Sequence, residues 1–263
     1  MDPSTFWRGR RTLVLGCTGF LGTYVVRTLL ERGADVTGLI RDSQRPSEFF
    51  ADNLHRRIRV VRGPADPQRL RSLIAIHGPA AVFQLAAVSG QSHAKHKITA
   101  EFLRAVARLS PSLPVVVPVA RTESAIQFRN HPLGEMRVGF VRLPTLFGAG
   151  NTAADSWSSR LFVAASRGRA IAAPERDEPL IWAADAADAL LEAAEWLTEL
   201  AEPPSNGLWH EAPATTTARE LRDRIARPRT PPIDALDQIA ARTLDWYERH
   251  ATQTDSEPLR AAA

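Results

Sequence analysis

The segment Gly16-x-x-Gly19-x-x-Gly22 constrains the fold of this 263-residue chain more than any other feature. It directly follows the apolar run Thr12-Leu13-Val14-Leu15 and leads into a stretch, Phe20 to Leu30, whose apolar residues recur at helical spacing. A glycine-rich turn between a buried strand and an amphipathic helix is typical of a dinucleotide-binding βαβ unit. The sequence therefore predicts an α/β domain that begins with this turn.

The three glycines predict a surface that binds a pyrophosphate. At the N-terminus of a helix, unpaired backbone N–H groups and the positive end of the helix dipole attract an anion. Gly16 would allow the tight turn, Gly19 the close approach of the ligand, and Gly22 the close packing of helix on strand. The predicted cofactor-binding residues of the turn are Gly16, Thr18, Gly19, Phe20, Leu21 and Gly22. The alternative is a glycine-rich turn that holds no ligand.

Strand and helix patterns alternate through the first half of the chain. Apolar runs that predict five further strands lie at 35–40, 59–61, 80–87, 114–119 and 138–143. Amphipathic stretches that predict helices lie at 70–76 and 98–109. Strands that are apolar on both faces are typical of a parallel sheet covered on both sides. We therefore predict a doubly wound, Rossmann-like parallel sheet.

The second half of the chain is more irregular. Helices are predicted at 159–167, at 185–197, from Thr217 and from 233 to about 250, and short strands near 170, near 181 and at 207–209. Thr217 and Glu220 have the spacing of a capping box. We predict a single unit over 1–263. It would consist of a dinucleotide-binding core at 8–143, a small C-terminal lobe at 144–250 interleaved with core elements, and a flexible tail at 251–263.

Composition excludes several functional classes. The net charge of +4 comes from scattered arginines, with no run of four basic residues and no interleaved aromatic residues, so no nucleic-acid partner is expected. The single cysteine, Cys17, excludes a disulfide framework and a cysteine-based zinc site. No apolar stretch approaches the roughly 20 residues of a membrane span, and the N-terminus lacks the apolar region of a signal peptide. We expect a soluble, cytoplasmic protein without a membrane partner.

The end of the second predicted strand bears on the choice of cofactor. An acidic residue at this position binds the ribose 2′-hydroxyl of NAD, whereas an arginine accommodates the 2′-phosphate of NADP. Arg41 favours NADP, while Asp42, one residue further on, leaves NAD open. The alternative for Arg41 is a solvated side chain, because arginine occurs throughout this chain.

Several other side chains have both a functional and a structural interpretation. His93 and His96, in the loop expected after the fourth strand, have a spacing compatible with metal ligands, but no third ligand is visible and no metal is expected. Trp182 and Trp209 are expected in the small core of the lobe, with stacking on a base or a sugar as the alternative.

Together these motifs resemble the extended short-chain dehydrogenases/reductases, or NAD-dependent epimerases/dehydratases, and are nearest to the nucleotide-sugar 4,6-dehydratase branch. Residues Gly16 to Gly22 match the family turn G-x-x-G-F-[LI]-G, and Val82 to Ala87 resembles V-F-H-L-A-A with Gln84 in place of the histidine. Further segments that resemble family motifs, in the family's order, are 142–150, 181–187 with Asp185, and 243–247.

The resemblance implies an NAD(P)-binding protein that acts on a nucleotide-activated sugar. Hydride would pass between the substrate and the nicotinamide at the carboxyl edge of the sheet, and Leu85, Ala86 and Ala87 would line the cofactor. Pro64 stands where the family commonly places an adenine-contacting aspartate. Family members commonly form homodimers through two helices beside the fifth strand. Both helices are shortened here, so a homodimer and a monomer both stay open.

The family's catalytic pair, Y-x-x-x-K, is absent from this chain. In the family the lysine lowers the pKa of the tyrosine, which then acts as acid or base. The chain contains only two tyrosines, Tyr24 and Tyr247, and neither has a lysine four residues later. The two lysines, Lys95 and Lys97, are expected ahead of the helix predicted at 98–109. The family's usual catalytic machinery is therefore missing.

Two residues after the fifth predicted strand are candidates to replace it. Thr122 could supply the relay hydroxyl and Glu123 a general acid or base. The alternative is that Thr122 or Ser124 simply caps the short helix that follows. The predicted function is an NAD(P)-dependent activity on a nucleotide sugar with an atypical catalytic site. The alternatives are a catalytically reduced homologue that binds dinucleotide as a structural or sensed ligand, and a non-redox enzyme that uses the same fold.

Overall fold

The structure is a computed structural model that describes residues 3–41, 47–64, 66–86, 92–121, 136–152, 156–169, 176–205, 207–226 and 234–250. The helices of these residues are α1 (Pro3–Phe6), α2 (Phe20–Glu31), α3 (Glu48–Ala51), α4 (Pro67–His77), α5 (Ser92–Leu109), α6 (Trp157–Ser166), α7 (Ala183–Glu199), α8 (Ala218–Ala226) and α9 (Ala235–Arg249). The strands are β1 (Arg11–Leu15), β2 (Asp35–Ile40), β3 (Arg59–Arg62), β4 (Ala81–Gln84), β5 (Val115–Ala120), β6 (Val138–Leu143), β7 (Thr145–Phe147), β8 (Pro179–Trp182), β9 (Leu208–Glu211) and β10 (Thr216–Thr217).

The main sheet confirms the predicted doubly wound architecture. Its seven strands follow the order β3-β2-β1-β4-β5-β6-β9, and every neighbouring pair is parallel. Strand order reverses beside β1, because β2 lies on one side of it and β4 on the other. Such a reversal leaves a crevice outside the carboxyl ends of the strands, where open α/β sheets bind ligands.

The described residues fall into two compact units. The first comprises Met1–Leu143 and Ala186–Ala212 and contains the seven-stranded sheet. The second comprises Pro144–Asp185 and Pro213–Ala263 and contains a three-stranded sheet in the order β10-β8-β7.

Burial on both faces explains why the strands of the main sheet are apolar throughout. In β1, Leu13 and Leu15 belong to a cluster that also contains Leu73 of α4 and Leu103 of α5. Val14, between them, is equally buried and points to the opposite face, because side chains alternate along a strand. The short runs that predicted strands are therefore strands sandwiched between two layers of helices.

The N-terminal segment contributes to the first unit in a way that the sequence did not reveal. Trp7 is fully buried, its ring lies 5.9 Å from that of Phe83 on β4, and its Nε1 donates a hydrogen bond to the carboxylate of Glu195 on α7. Residues before β1 thus pack on the main sheet.

The second unit has its own apolar core. The ring of Tyr247 on α9 stacks on Phe162 of α6 at 5.4 Å, and its hydroxyl donates a hydrogen bond to the carbonyl of Asn151. Core residues of this unit include Phe147, Leu161, Leu180, Leu221 and Trp246.

Some predicted boundaries were wrong. The fourth strand ends at Gln84, not at 87, and α5 begins at Ser92, so His93 and His96 lie on a helix rather than in a loop. Lys95 and Lys97 lie on the same helix, not ahead of it. The segment 142–150, which resembles a family motif, contains the short strand β7.

Two further predictions concern the second half of the chain. The strand expected in the lobe at 207–209 is β9, the seventh strand of the main sheet, and there Trp209 stacks on Phe140 at 4.6 Å. The cap at Thr217 is confirmed, because its hydroxyl accepts a hydrogen bond from the backbone N–H of Glu220 at 3.3 Å. The strand expected near 170 falls outside the described residues.

Candidate functional site

The glycine turn follows β1 directly and closes through its own backbone. Gly16 has a φ of +81°, and its carbonyl accepts a hydrogen bond from the Gly19 N–H at 3.0 Å. A Cβ atom on Gly16 would lie 2.7 Å from the backbone nitrogen of Ala86. Gly16 is therefore required by its backbone angle and by the close approach of the chain after β4.

Gly22 packs the first turn of α2 against the glycine turn. A Cβ on Gly22 would lie 2.1 Å from the Gly16 carbonyl oxygen and 2.9 Å from the Cα of Cys17. Gly19 differs from both, because it is exposed, has an ordinary φ of −75°, and a Cβ there would lie 3.3 Å from the Gly16 oxygen. Of the three glycines in the turn, Gly16 and Gly22 have no room for a side chain, because neighbouring backbone atoms occupy the space.

The N-terminus of α2 presents open hydrogen-bond donors. Gly19 is the N-cap and provides no side-chain cap. Among the described residues, the backbone N–H groups of Phe20, Leu21 and Gly22 have no acceptor. A helix N-terminus with donors of this kind carries a partial positive charge and suits an anion. This cradle fits the pyrophosphate of a dinucleotide.

Cys17 lies within the turn but carries no chemistry. Its side chain is fully buried, and its Sγ lies 3.8 Å from the carbonyl oxygen of Leu39. Burial raises the pKa of Cys17 to about 12, so the thiol stays protonated and is not a nucleophile at neutral pH. A Cβ on Gly38 of β2 would lie 2.8 Å from this sulfur, which explains a glycine inside a strand. A glycine inside the apolar run 35–40 was the sequence feature that could have indicated this close contact with Cys17.

The carboxyl ends of β2 and β3 carry arginines. Arg41 follows β2 and is exposed. Arg69 of α4 lies against Gly63, where a Cβ would be 2.9 Å from its Nη2, and it donates a hydrogen bond to the Arg62 carbonyl at 3.1 Å. Sequence reasoning identified Arg41 but missed Arg69. Asp42 falls outside the described residues.

Asp66 has a structural role beside these arginines. Its carboxylate accepts a hydrogen bond from the backbone N–H of Arg69 at 2.8 Å, and Pro67 occupies the first position of α4. This arrangement is a helix N-cap followed by a favoured proline.

The chain after β4 lies beside the glycine turn. Leu85 donates its backbone N–H to the Leu15 carbonyl at 2.9 Å, and Leu85 and Ala86 are half-buried. Gln84 is 3% exposed, and its Oε1 has no hydrogen-bond partner among the described residues. Ala87, Thr122 and Glu123, all predicted site residues, fall outside the described residues.

Both tyrosines have packing roles. Tyr24 is buried on α2, with its ring edge-on to Phe20 at 5.5 Å. Tyr247 donates its hydroxyl to the Asn151 carbonyl within the second unit. Neither tyrosine is followed four residues later by a lysine, so the Y-x-x-x-K pattern is absent from both segments.

Asp185, in a segment that resembles a family motif, also has a structural role. Its carboxylate accepts a hydrogen bond from the hydroxyl of Thr215, which in turn accepts one from the backbone N–H of Trp182 at 2.9 Å. The hydrogen bonds connect the end of β8 to the chain before β10.

Residues 12–127 match the model of the NAD dependent epimerase/dehydratase family. The match covers the glycine turn, β1 to β5 and the helices between them. The family model thus matches somewhat less than half of the chain.

Two curated relatives of this chain act in nucleotide-sugar chemistry by name. A dTDP-4-dehydro-6-deoxy-D-allose reductase from Streptomyces sp is 37% identical over 103 residues, which cover 37% of this chain and 30% of the reductase. A CDP-glucose 4,6-dehydratase from Salmonella typhimurium is 35% identical over 92 residues, which cover 33% of this chain and 25% of the dehydratase. The chain thus matches less than a third of either relative's length.

A solved structure is similar in fold to most of this chain. The dTDP-glucose 4,6-dehydratase of Bacillus anthracis, solved in complex with NAD, superposes with a TM-score of 0.68. The superposition covers 93% of this chain and 98% of that chain, at 12% sequence identity. The likeness in fold therefore extends beyond residues 12–127.

The described residues hold no group of three or more His, Cys, Asp or Glu side chains placed to bind a metal ion. None of their helices has the length and apolar character needed to cross a membrane.

Proposed function

We propose that this protein binds a nicotinamide dinucleotide at the glycine turn and a nucleotide-activated sugar at the carboxyl edge of the main sheet. The observation that carries the proposal is the cradle formed by Gly16, Gly19 and Gly22. Two of these glycines are required by the protein's own packing, and the third leaves the ligand side open. The names of the two curated relatives support a nucleotide sugar as substrate.

Backbone groups of the turn would orient the cofactor. The N–H groups of Phe20, Leu21 and Gly22 would donate hydrogen bonds to the pyrophosphate, and the dipole of α2 would favour its charge. The chain at Leu85, Ala86 and Ala87 would line the adjacent part of the cofactor. A bound nicotinamide supplies the acceptor or donor of a hydride.

Proton transfer would need groups other than the family's tyrosine and lysine. Thr122 and Glu123 follow β5, whose carboxyl end lies at the ligand-binding edge of the sheet. We propose that Glu123 accepts or returns the proton of a sugar hydroxyl, and that Thr122 bonds to the same hydroxyl and orients it.

We propose that NADP is preferred over NAD. The guanidinium groups of Arg41 and Arg69 belong to the segments that follow β2 and β3, where a 2′-phosphate would lie. Replacement Arg41→Gln should weaken NADP binding about ten-fold and leave NAD binding unchanged, because a charged hydrogen bond to phosphate is lost. Isothermal titration with both cofactors measures this, with Arg71→Gln, an exposed arginine of α4, as the matched control.

A second function is a catalytically reduced protein that binds dinucleotide without turning over a sugar. The packing roles of Tyr24 and Tyr247 favour it. The deciding experiment is a turnover assay with dTDP-glucose, UDP-glucose and CDP-glucose in the presence of NAD or NADP, together with binding titrations.

The outcomes of that experiment are distinct. Turnover that falls in Thr122→Ala and Glu123→Gln, with dinucleotide affinity retained, supports the enzyme. Tight dinucleotide binding without turnover supports the second function. Absence of dinucleotide binding overturns both.

Three further expectations accompany the proposal. We propose a cytoplasmic location, no nucleic-acid partner, and a homodimer as the form to test against a monomer. The scattered distribution of the arginines supports the absence of a nucleic-acid partner. Cell fractionation, a DNA-binding assay at low salt and sedimentation velocity test them in turn.

A further inference from the structure

The outer face of α7 exposes apolar side chains. Among the described residues, the exposed large hydrophobic side chains are Ile76, Trp196 and Leu200, at 73%, 40% and 37% exposure. Trp196 and Leu200 are one helical turn apart, and the Leu200 N–H donates a hydrogen bond to the Trp196 carbonyl at 3.1 Å. Exposed apolar groups that lie together, and not singly, mark interaction surfaces.

The exposed side chain of Trp196 lies toward the edge of the main sheet. Leu197 of α7 packs over β6, where a Cβ on Gly139 would be 3.0 Å from its Cδ1. The neighbouring Trp196 lies further out, with its ring edge-on to that of His210 on β9 at 4.9 Å. Trp196 therefore covers the last strand of the sheet.

Strand β9 has one open side within the described part of the chain. It pairs in parallel with β6, and beyond it the Ala212 N–H donates to the Arg142 carbonyl at 3.0 Å. No described strand pairs with its other side. Alternate backbone N–H and C=O groups of an edge strand point outward and can accept a further strand.

Charge determines which partner fits this edge. Residues 183–202 contain six acidic residues and no basic residue, in a chain whose net charge is +4. Glu192 and Glu199 lie four residues before and three residues after Trp196, hence on the same helix face. Both are exposed and have no ion pair among the described residues.

The same charges disfavour a second copy of this chain as the symmetric occupant. In a twofold contact the same patch meets itself, so the carboxylates of Glu192 and Glu199 in one copy would approach the same acidic patch of the other copy. Like charges opposed across an interface weaken it, whereas arginine or lysine side chains would neutralise them. Arginine can also stack on the exposed indole of Trp196.

We propose that the α7–β9 edge, defined by Glu192, Trp196, Glu199, Leu200 and strand β9, binds an extended basic segment of a partner protein. The backbone of that segment pairs with the open side of β9. Its alternate side chains lie under α7, where apolar ones contact Trp196 and Leu200 and basic ones pair with the two carboxylates.

The test is fluorescence anisotropy with a labelled, end-blocked peptide of alternating arginine and valine. We expect saturable binding that weakens as salt is added. Trp196→Ala and the double variant Glu192→Gln/Glu199→Gln should each weaken it about five-fold or more, whereas Ile76→Ala, which removes an exposed apolar side chain elsewhere, should not. A peptide with N-methylated backbone amides keeps the charge but cannot pair with β9, and it should bind at least about five-fold more weakly.

Several results would overturn the proposal. Equal affinity of all variants would place the peptide elsewhere, and equal affinity of the N-methylated peptide would exclude strand pairing. A dimer in sedimentation velocity that Trp196→Ala converts to monomer would assign the surface to a second copy. Thermal melts of each variant check that it is folded.

Discussion

Gly16 and Ala86 meet through their main chains. A Cβ on Gly16 would lie 2.7 Å from the Ala86 nitrogen and 2.7 Å from the Leu85 carbonyl carbon. Neither main chain can move away easily. The Leu85 N–H donates a hydrogen bond to the Leu15 carbonyl at 2.9 Å, and β1 pairs with β4. The glycine turn is thus held against the end of β4, and this contact sets the geometry of the proposed cofactor site.

Replacement Gly16→Ala should damage both stability and dinucleotide binding. A left-handed backbone angle costs an alanine about 1–2 kcal/mol, and the collision with the chain at Leu85 and Ala86 adds to that cost. We expect the free energy of unfolding to fall by at least about 2 kcal/mol. Urea unfolding and titration with NAD and NADP measure the two effects.

Gly9→Ala is the matched control for the backbone angle. Gly9 has a φ of +68°, and a Cβ there would meet nothing within 4 Å. It should therefore show the conformational cost alone and keep dinucleotide affinity. Equal destabilisation by the two substitutions would contradict the contact between Gly16 and Ala86.

Substitutions at Gly22 and Gly19 should separate packing from binding. A Cβ on Gly22 would lie 2.1 Å from the Gly16 oxygen, so Gly22→Ala should lower the free energy of unfolding by about 1–3 kcal/mol. Gly19→Ala should change it by no more than about 0.5 kcal/mol, since Gly19 is exposed with an ordinary φ. Its methyl group would instead obstruct the ligand side of the turn and weaken dinucleotide binding. Unchanged affinity in a folded Gly19→Ala protein would place the ligand elsewhere.

The burial of Glu195 should give the stability a pH dependence. Burial raises the pKa of Glu195 above its ordinary value, against the opposing effects of the Trp7 hydrogen bond and the charge of Arg32. The folded state then holds this proton more tightly than the unfolded state. Its contribution to stability is fully present below the ordinary carboxyl pKa and is lost as the pH rises through the raised pKa.

Glu195→Gln tests that dependence. The amide oxygen can still accept the Trp7 hydrogen bond, but it does not titrate. Urea unfolding at a series of pH values should show a decline in wild-type stability across the carboxyl range that this variant lacks. Glu31→Gln, at an exposed position of α2, should retain the decline. A decline of the same size in Glu195→Gln would refute the assignment.

Arg224 should stabilise the second unit by joining α8 to the start of α9. Its guanidinium donates hydrogen bonds to Asp234 and Asp237, both at 2.7 Å, and to Glu220 at 3.0 Å. Arg224→Met keeps most of the stem and removes the donors, so the free energy of unfolding should fall by about 1 kcal/mol, because solvent screens the exposed carboxylates. Arg219→Met is the control, because the Arg219 side chain is 68% exposed and its ion pair with Asp177 is long, at 4.0 Å. Calorimetry would contradict the role if both variants melt alike.

Local patterns predicted the regular elements of the first unit well. The predicted bounds of β2 and β6 agree with the structure, because an apolar run between turns is sufficient to mark a buried strand. The glycine turn was also found, since the spacing of its three glycines between an apolar run and a helical pattern can be read within a few residues. The start of α5 was misplaced because the polar residues of its first turns mask the helical period.

Contacts between distant segments were missed. The burial of Trp7 depends on Glu195, which is 188 residues away. The place of β9 in the main sheet depends on its pairing with β6, and the residues of the run 207–209 do not indicate which strand they pair with. Arg69 approaches the end of β3 only because α4 turns back over the sheet.

The sequence by itself determined the turn with its three glycines, the parallel α/β pattern and the lack of a Tyr–Lys pair, because residue identity and short-range spacing are sufficient for each. The tertiary structure alone decided which glycine touches which backbone, where Trp7 is buried, and that Trp196 covers the edge strand. The physical reason is that these contacts join segments far apart in the chain. Their geometry follows from the register and packing of the whole sheet, which no local pattern encodes.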